Sequence, residues 1–152
     1  MNTNQLRTIL KRDKKIRYHF IDVFALDHFK EFVKRNSLHN GLYICNSDTS
    51  SRGGEHWFLV FVTDEKIYFF DSFGNHPEYF SIGNELYSSE RDLIYFPIQL
   101  QSSTSSVCGH FCIFFSFFLC RKYNLQKIYR KFSHHYEKNE ELVFNFVNKI
   151  FS

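Results

Sequence analysis

Residues 101–112 read Gln-Ser-Ser-Thr-Ser-Ser-Val-Cys-Gly-His-Phe-Cys, and the fold turns on this stretch. A loop of small hydroxyl residues runs into Cys108-Gly109, and a nearly unbroken apolar run follows over 111–120. Small polar residues ahead of an apolar run predict a helix start, because their side chains accept bonds from the first amide groups. Cys108 is then expected at the N-terminus of a buried helix, where the macrodipole and outward-facing N–H groups favour an anion. Such a position lowers a thiol's pKa and raises its thiolate fraction. Gly109 is expected to leave room beside the sulfur for a substrate backbone. The plain alternative is a core helix that happens to begin with cysteine, and the residues upstream separate the two.

A chain of 152 residues fits one domain, 1–152, with a sizeable core. Apolar residues at 43% and charged residues at 23% exclude a disordered chain. Phenylalanine occupies 20 positions, which predicts an aromatic core. A net charge of +3 permits contact with nucleic acid or an acidic partner without demanding either. The polar start, Met-Asn-Thr-Asn-Gln-Leu-Arg, has no apolar segment of signal length, so the expectation is a protein that is not secreted. The run over 111–120 is too short to cross a bilayer. Four cysteines in that setting read as thiols rather than as a disulfide framework.

Working outward, residues 1–18 predict a short amphipathic helix followed by a basic run, Lys11, Arg12, Lys14, Lys15 and Arg17. Residues 20–36 carry apolar positions at Phe24, Leu26, Phe29, Phe32 and Val33, the spacing of a helix against a sheet. Residues 42–45 (Leu-Tyr-Ile-Cys) predict a buried strand, and 57–63 with 67–71 predict a hairpin turning at Asp64-Glu65-Lys66. A short helix and loop over 77–87 and a strand over 93–96 come next. Beyond the central helix, 124–132 and 137–151 predict two more helices. The fold class expected is α+β, a mostly antiparallel sheet packed against the buried helix that starts at Cys108.

Hairpin pairing brings the start of its first strand beside the end of its second. His56 and Asp71 should therefore become neighbours. A carboxylate there holds an imidazole in one tautomer and stabilises its cation, while the other ring nitrogen faces a nucleophile. Gln101, seven positions before Cys108, can donate to a developing oxyanion, with Gln99 as the nearby competitor. Trp57 reads either as ordinary core or as a wall narrowing a cleft beside the imidazole. Gly54 and Gly109 are the candidates for close backbone approach. Cys112 lies one turn after Cys108, but two thiols and His110 do not make the four-ligand set of structural zinc, so no metal is expected.

Gly54-Glu55-His56-Trp57, Phe70-Asp71-Ser72-Phe73-Gly74 and the run from Gln101 through Cys112 resemble the adenovirus proteinase (adenain) family. That family belongs to the papain-like clan that includes the ubiquitin-like-protein proteases. The resemblance spans residues 42–119. It implies Cys108 as nucleophile, His56 as base, Asp71 as orienting carboxylate and Gln101 as oxyanion donor. It also implies a monomeric virion-maturation protease cutting capsid or core precursors after Gly-containing sequences, inside the virion and the host nucleus or cytoplasm. DNA and an activating viral peptide follow as partners by the same resemblance. Two departures stand out. The third catalytic position is Asp, as in the ubiquitin-like-protein proteases, where mammalian adenovirus enzymes have Glu. No cysteine lies between Cys45 and Cys108 to accept a disulfide-linked peptide.

Three functions follow. The first is that maturation endopeptidase, favoured by the seven-residue spacing of Gln101 and Cys108. The second is a protease removing ubiquitin-like modifiers, favoured by Asp71. The third is a catalytically idle DNA- or capsid-binding protein using the basic residues of 11–17 and 127–131.

Overall fold

β-Branched and aromatic residues crowd the segments that build the sheet, where such side chains pack well on a pleated surface. The computed structural model describes residues 1–48 and 56–152. Strands β1 (Phe20–Phe24), β2 (Gly41–Asn46), β3 (Trp57–Val62), β4 (Lys66–Phe70) and β5 (Asp92–Ile94) lie in that order across one sheet. The inner pairs, β2 with β3 and β3 with β4, are antiparallel. The edge pairs, β1 with β2 and β4 with β5, are parallel, so the α+β fold has a mixed sheet with an antiparallel centre.

Helices α1 (Thr3–Arg12), α2 (Lys14–His19), α5 (Cys108–Leu119), α6 (Leu125–Tyr129) and α7 (Tyr136–Phe151) pack on one face. Helices α3 (Leu26–Asn36) and α4 (Gly83–Tyr87), with a 3-10 turn at Pro77–Phe80, cover the other. The alternation of β3 assigns its side chains to the two layers. Trp57, Leu59 and Phe61 enter the core under α5, while Phe58, Val60 and Val62 enter the core under α3. Every residue of β2 and β3 is buried, as expected of strands covered on both faces.

Helix α5 runs through the larger core. Nine of its residues, from Cys108 to Leu119, are buried, and the Phe115 ring stacks on Phe70 with centroids 3.5 Å apart. Its one internal hydroxyl, on Ser116, donates to the Cys112 carbonyl at 2.7 Å and so is satisfied without leaving the helix.

Three expectations change. Residues 20–36 are not one helix: 20–24 form β1, and the helix begins only at Leu26, after Ala25 in an extended conformation. The apolar spacing over 20–36 conceals a Phe-Ile-Asp-Val-Phe strand that gains a parallel partner in β2. The basic run is itself helical, as α2, capped by the Asp13 carboxylate accepting from the Ile16 N–H at 3.0 Å. The start of α5 is not capped by a hydroxyl either. Its N-cap is Val107, with no side-chain bond. Among the described residues no helix is long and apolar enough to cross a membrane.

Candidate active site

The nucleophile candidate, Cys108, is the first residue of α5 and is 4% exposed. The ends of β3 and β4 open toward it. His56 stands just before β3 and Asp71 just after β4, and the His56 Nε2 meets the Asp71 Oδ1. With Nε2 taken by the carboxylate, Nδ1 is the ring nitrogen left to serve the Cys108 thiol, which lines the same cleft as His56. Cys108, His56 and Asp71 thus stand together, one imidazole nitrogen bonded to the carboxylate and the other buried and uncommitted.

The carboxylate is held by its own turn. Its second oxygen accepts from the Asn75 N–H at 3.0 Å, and the Asp71 carbonyl accepts from the Gly74 N–H at 2.9 Å. Gly74 makes that turn at a φ of +79°, and a Cβ there would lie 2.8 Å from the Ile98 carbonyl carbon. The preceding residue, Phe73, stacks its ring on the His56 imidazole with centroids 4.5 Å apart and planes 22° apart. A turn at Gly74 is what the sequence over 72–77 predicts, whereas the part played by Phe73 shows only in the structure.

Burial by itself would lower the His56 pKa, but neighbouring Asp71 and Cys108 outweigh it and raise it to about 9. Burial likewise would raise the Cys108 pKa. The His56 ring and its charge, with backbone N–H groups of Trp57 and Gly109 pointing at the sulfur, bring it below the ordinary thiol value. The two shifts favour a thiolate–imidazolium pair. The other thiols move the opposite way: burial holds Cys45 and Cys112 well above the ordinary value and pushes Cys120 to about 12.

A cleft of about 480 Å³ reaches the sulfur, lined by Met1, His56, Trp57, Phe73, Cys108 and Gly109, with Ser103, Ser105 and Ser106 opposite. A larger cavity, about 750 Å³, lies beside the 102–106 loop and contains none of the three residues, so the chemistry assigns the site to the smaller one. Trp57 is both core and wall, 4% exposed yet bordering the cleft, and its indole N–H donates to the Met1 carbonyl at 3.3 Å. Nothing in the sequence pointed to Met1, whose placement follows from how α1 docks on α5.

Gly109 does not open space for a substrate. A Cβ there would stand 3.3 Å from the Met1 Sδ and 3.5 Å from a Leu6 methyl, so its bareness serves the packing of α1 against α5. Gly54 lies outside the described residues. Gln101 is fully buried and does not border the cleft. Its Oε1 accepts from Ser72 Oγ at 2.6 Å and its Nε2 donates to the Ser105 carbonyl at 3.0 Å. A carbonyl only accepts, which fixes the amide's orientation and leaves the second Nε2–H for another acceptor. The competitor Gln99 is exposed and donates to the Gln101 carbonyl at 2.8 Å.

No family model matches the chain, nor does any curated protein. Solved structures do. The chain is similar to the central domain of the uncharacterized Lpg1148 protein from Legionella pneumophila, with a TM-score of 0.56 at 10% identity over 98% of this chain and 94% of that one. It is also similar to the SUMO protease Ulp1, in a form whose catalytic cysteine is oxidized to a sulfenic acid. That TM-score is 0.51 at 11% identity, over all of this chain (100%) and 79% of that one. At such identities the likeness is one of fold, and the fold is of the papain-like cysteine protease type represented by Ulp1.

Proposed function

We propose that this chain is a cysteine peptidase in which Cys108 is the nucleophile, His56 the acid–base and Asp71 the group that orients and charges the imidazole. The observation that carries the reading is the Asp71-bonded His56 sharing one cleft with Cys108, the first residue of α5. The sulfur adds to a scissile carbonyl carbon and the carbonyl pair moves to oxygen. N–H groups at the helix start, with Gln101 as the proposed side-chain donor, stabilise the oxyanion. The imidazolium gives its proton to the departing amine, leaving a thioester. Water, deprotonated by the now neutral His56, then hydrolyses the thioester.

For substrate, we propose an extended segment with Gly before the cut, because Trp57 and Phe73 flank His56 and leave little room for side chains. The Ulp1-type fold supports a protease of ubiquitin-like modifiers as the first choice. The seven-residue spacing from Gln101 to Cys108 supports the second, cleavage of viral structural precursors with DNA or a peptide as activator. Two probes offered side by side separate them: Gly-containing peptides, with and without added DNA, and whole ubiquitin-like proteins carrying a C-terminal reporter. Preference for one folded modifier is the expected result. Cleavage of peptides alone, stimulated by DNA, reverses the order. Efficient cutting after bulky residues defeats the narrow-cleft argument.

A further inference from the structure

We infer that Asn139 and Glu140, in the first turns of α7, are positioning residues for Gln101. This rests on the peptidase reading above. Gln101 is flanked by two peptide groups, and α7 holds both. The Asn139 side-chain amide donates to the Leu100 carbonyl at 3.1 Å, and Glu140 Oε2 accepts from the Ser102 N–H at 2.7 Å. Asn139 is 1% exposed and completes its own bonding with Ser133, donating to its carbonyl and accepting from its N–H, both at 2.9 Å. It is therefore a buried, fully engaged anchor. Glu140 is the charged arm beside it.

Ser72 holds the base of this loop, its carbonyl accepting from the Leu100 and Gln101 N–H groups at 2.8 and 3.2 Å. Its hydroxyl donates to Gln101 Oε1 at 2.6 Å, but the stretch beyond Gln101 has fewer ties. Ser103, Thr104 and Ser106 are exposed, and the 750 Å³ cavity separates the loop from the start of α7 rather than packing against it. Inside the loop the bonds are few: Ser105 N–H to Ser102 carbonyl at 3.1 Å and Gln101 Nε2 to Ser105 carbonyl at 3.0 Å. Beyond Gln101 the Ser102–Glu140 bond is the tie that fixes the loop to α7. A shift of Ser102 moves the Ser105 carbonyl that holds the Gln101 amide, and with it the direction of the amide's second N–H. An oxyanion donor is useful only within a few tenths of an ångström of its mark, and misplacing a reacting group by about 1 Å costs up to about 100-fold.

The test compares Glu140→Ala, Glu140→Gln, Glu141→Ala and Gln101→Ala with the unmodified chain. Asn139→Ala is set aside because it orphans buried partners and endangers folding. Two probes are used. A peptide ending in glycinal lets the sulfur add reversibly to the aldehyde carbon, its oxygen taking the place of the oxyanion. Iodoacetamide reports the thiolate alone. We expect Glu140→Ala to weaken glycinal binding and lower kcat by roughly 10- to 100-fold, with KM nearly unchanged and the alkylation rate intact. Glu140→Gln, which keeps an acceptor oxygen, should recover most of the loss, and the exposed Glu141→Ala should do nothing. A Glu140→Ala protein altered only in melting temperature overturns the positioning role, as does an equal effect from Glu141→Ala. Should Gln101→Ala itself leave glycinal binding intact, the oxyanion role of Gln101 falls and the positioning role with it. Failure of the unmodified chain to bind glycinal sinks the peptidase reading instead.

Discussion

At the scale of single residues, the chemistry rests on two opposed shifts. His56 is raised to about 9 and Cys108 held below the ordinary thiol value, shifts that favour a thiolate–imidazolium pair between those limits. Activity should rise as pH passes the lowered thiol pKa and fall as it passes about 9, where the imidazolium loses the proton needed by the leaving amine. The sign for stability follows from the same group. A histidine whose pKa is raised from 6.5 to about 9 contributes stability that is complete below 6.5 and is lost as pH rises through 9. Asp71→Asn removes the charge that supports His56, so the alkaline limb should move down toward ordinary histidine. Rate profiles check this, together with iodoacetamide labelling at about pH 6, where Cys108 should react fastest of the four thiols and slow sharply in Asp71→Asn. Equal labelling of all four would remove the case for an activated nucleophile.

At the scale of elements, the turn after β4 does as much as the strands. The β3–β4 hairpin brings His56 and Asp71 into one neighbourhood, but the left-handed Gly74 turns the Asn75 N–H back onto the carboxylate. Gly74→Ala places a side chain in a strained conformation, 2.8 Å from the Ile98 backbone. Strain of this kind costs about 1–3 kcal/mol, and the clash adds to it. The expected result is a lower melting temperature together with a fall in kcat larger than instability alone explains, measured well below the transition. An active, equally stable Gly74→Ala protein would show that the turn's geometry is incidental.

At the scale of the whole molecule, the N-terminal helices are tied to the far end of α5. Asp13 caps α2 and also accepts from Arg121 at 2.7 and 3.1 Å, while the Arg121 guanidinium lies 3.5 Å from the Phe117 ring centroid. Burial would raise the Asp13 pKa, but the Arg121 bond and the α2 amides bring it below the usual carboxylate value. A depressed carboxylate pKa gives stability that is present above the unfolded value and is lost as pH falls through the folded one. Asp13→Ala removes the cap and orphans the guanidinium, at a cost of about 1–3 kcal/mol. Denaturant unfolding near neutral pH should show that loss, and the difference from wild type should shrink in acid. Because α1 carries Met1 to the Trp57 side of the cleft, the same change should also raise KM.

Features with local causes were legible along the chain. The apolar run after Cys108 pointed to a buried helix, the apolar runs 57–63 and 67–71 with a polar turn between pointed to a hairpin, and the hairpin made His56 and Asp71 neighbours. Each conclusion used an apolar run, its polar flanks or a pairing rule, which needs no knowledge of distant residues. Tertiary structure decided the rest. Strand β1 exists because β2 offers it an edge, Gly109 is bare because α1 lies against it, and Gln101 stands where α7 holds its neighbours from 38 or 39 residues away. Those contacts join segments with no period or spacing in common, so their energies appear only once the chain has folded.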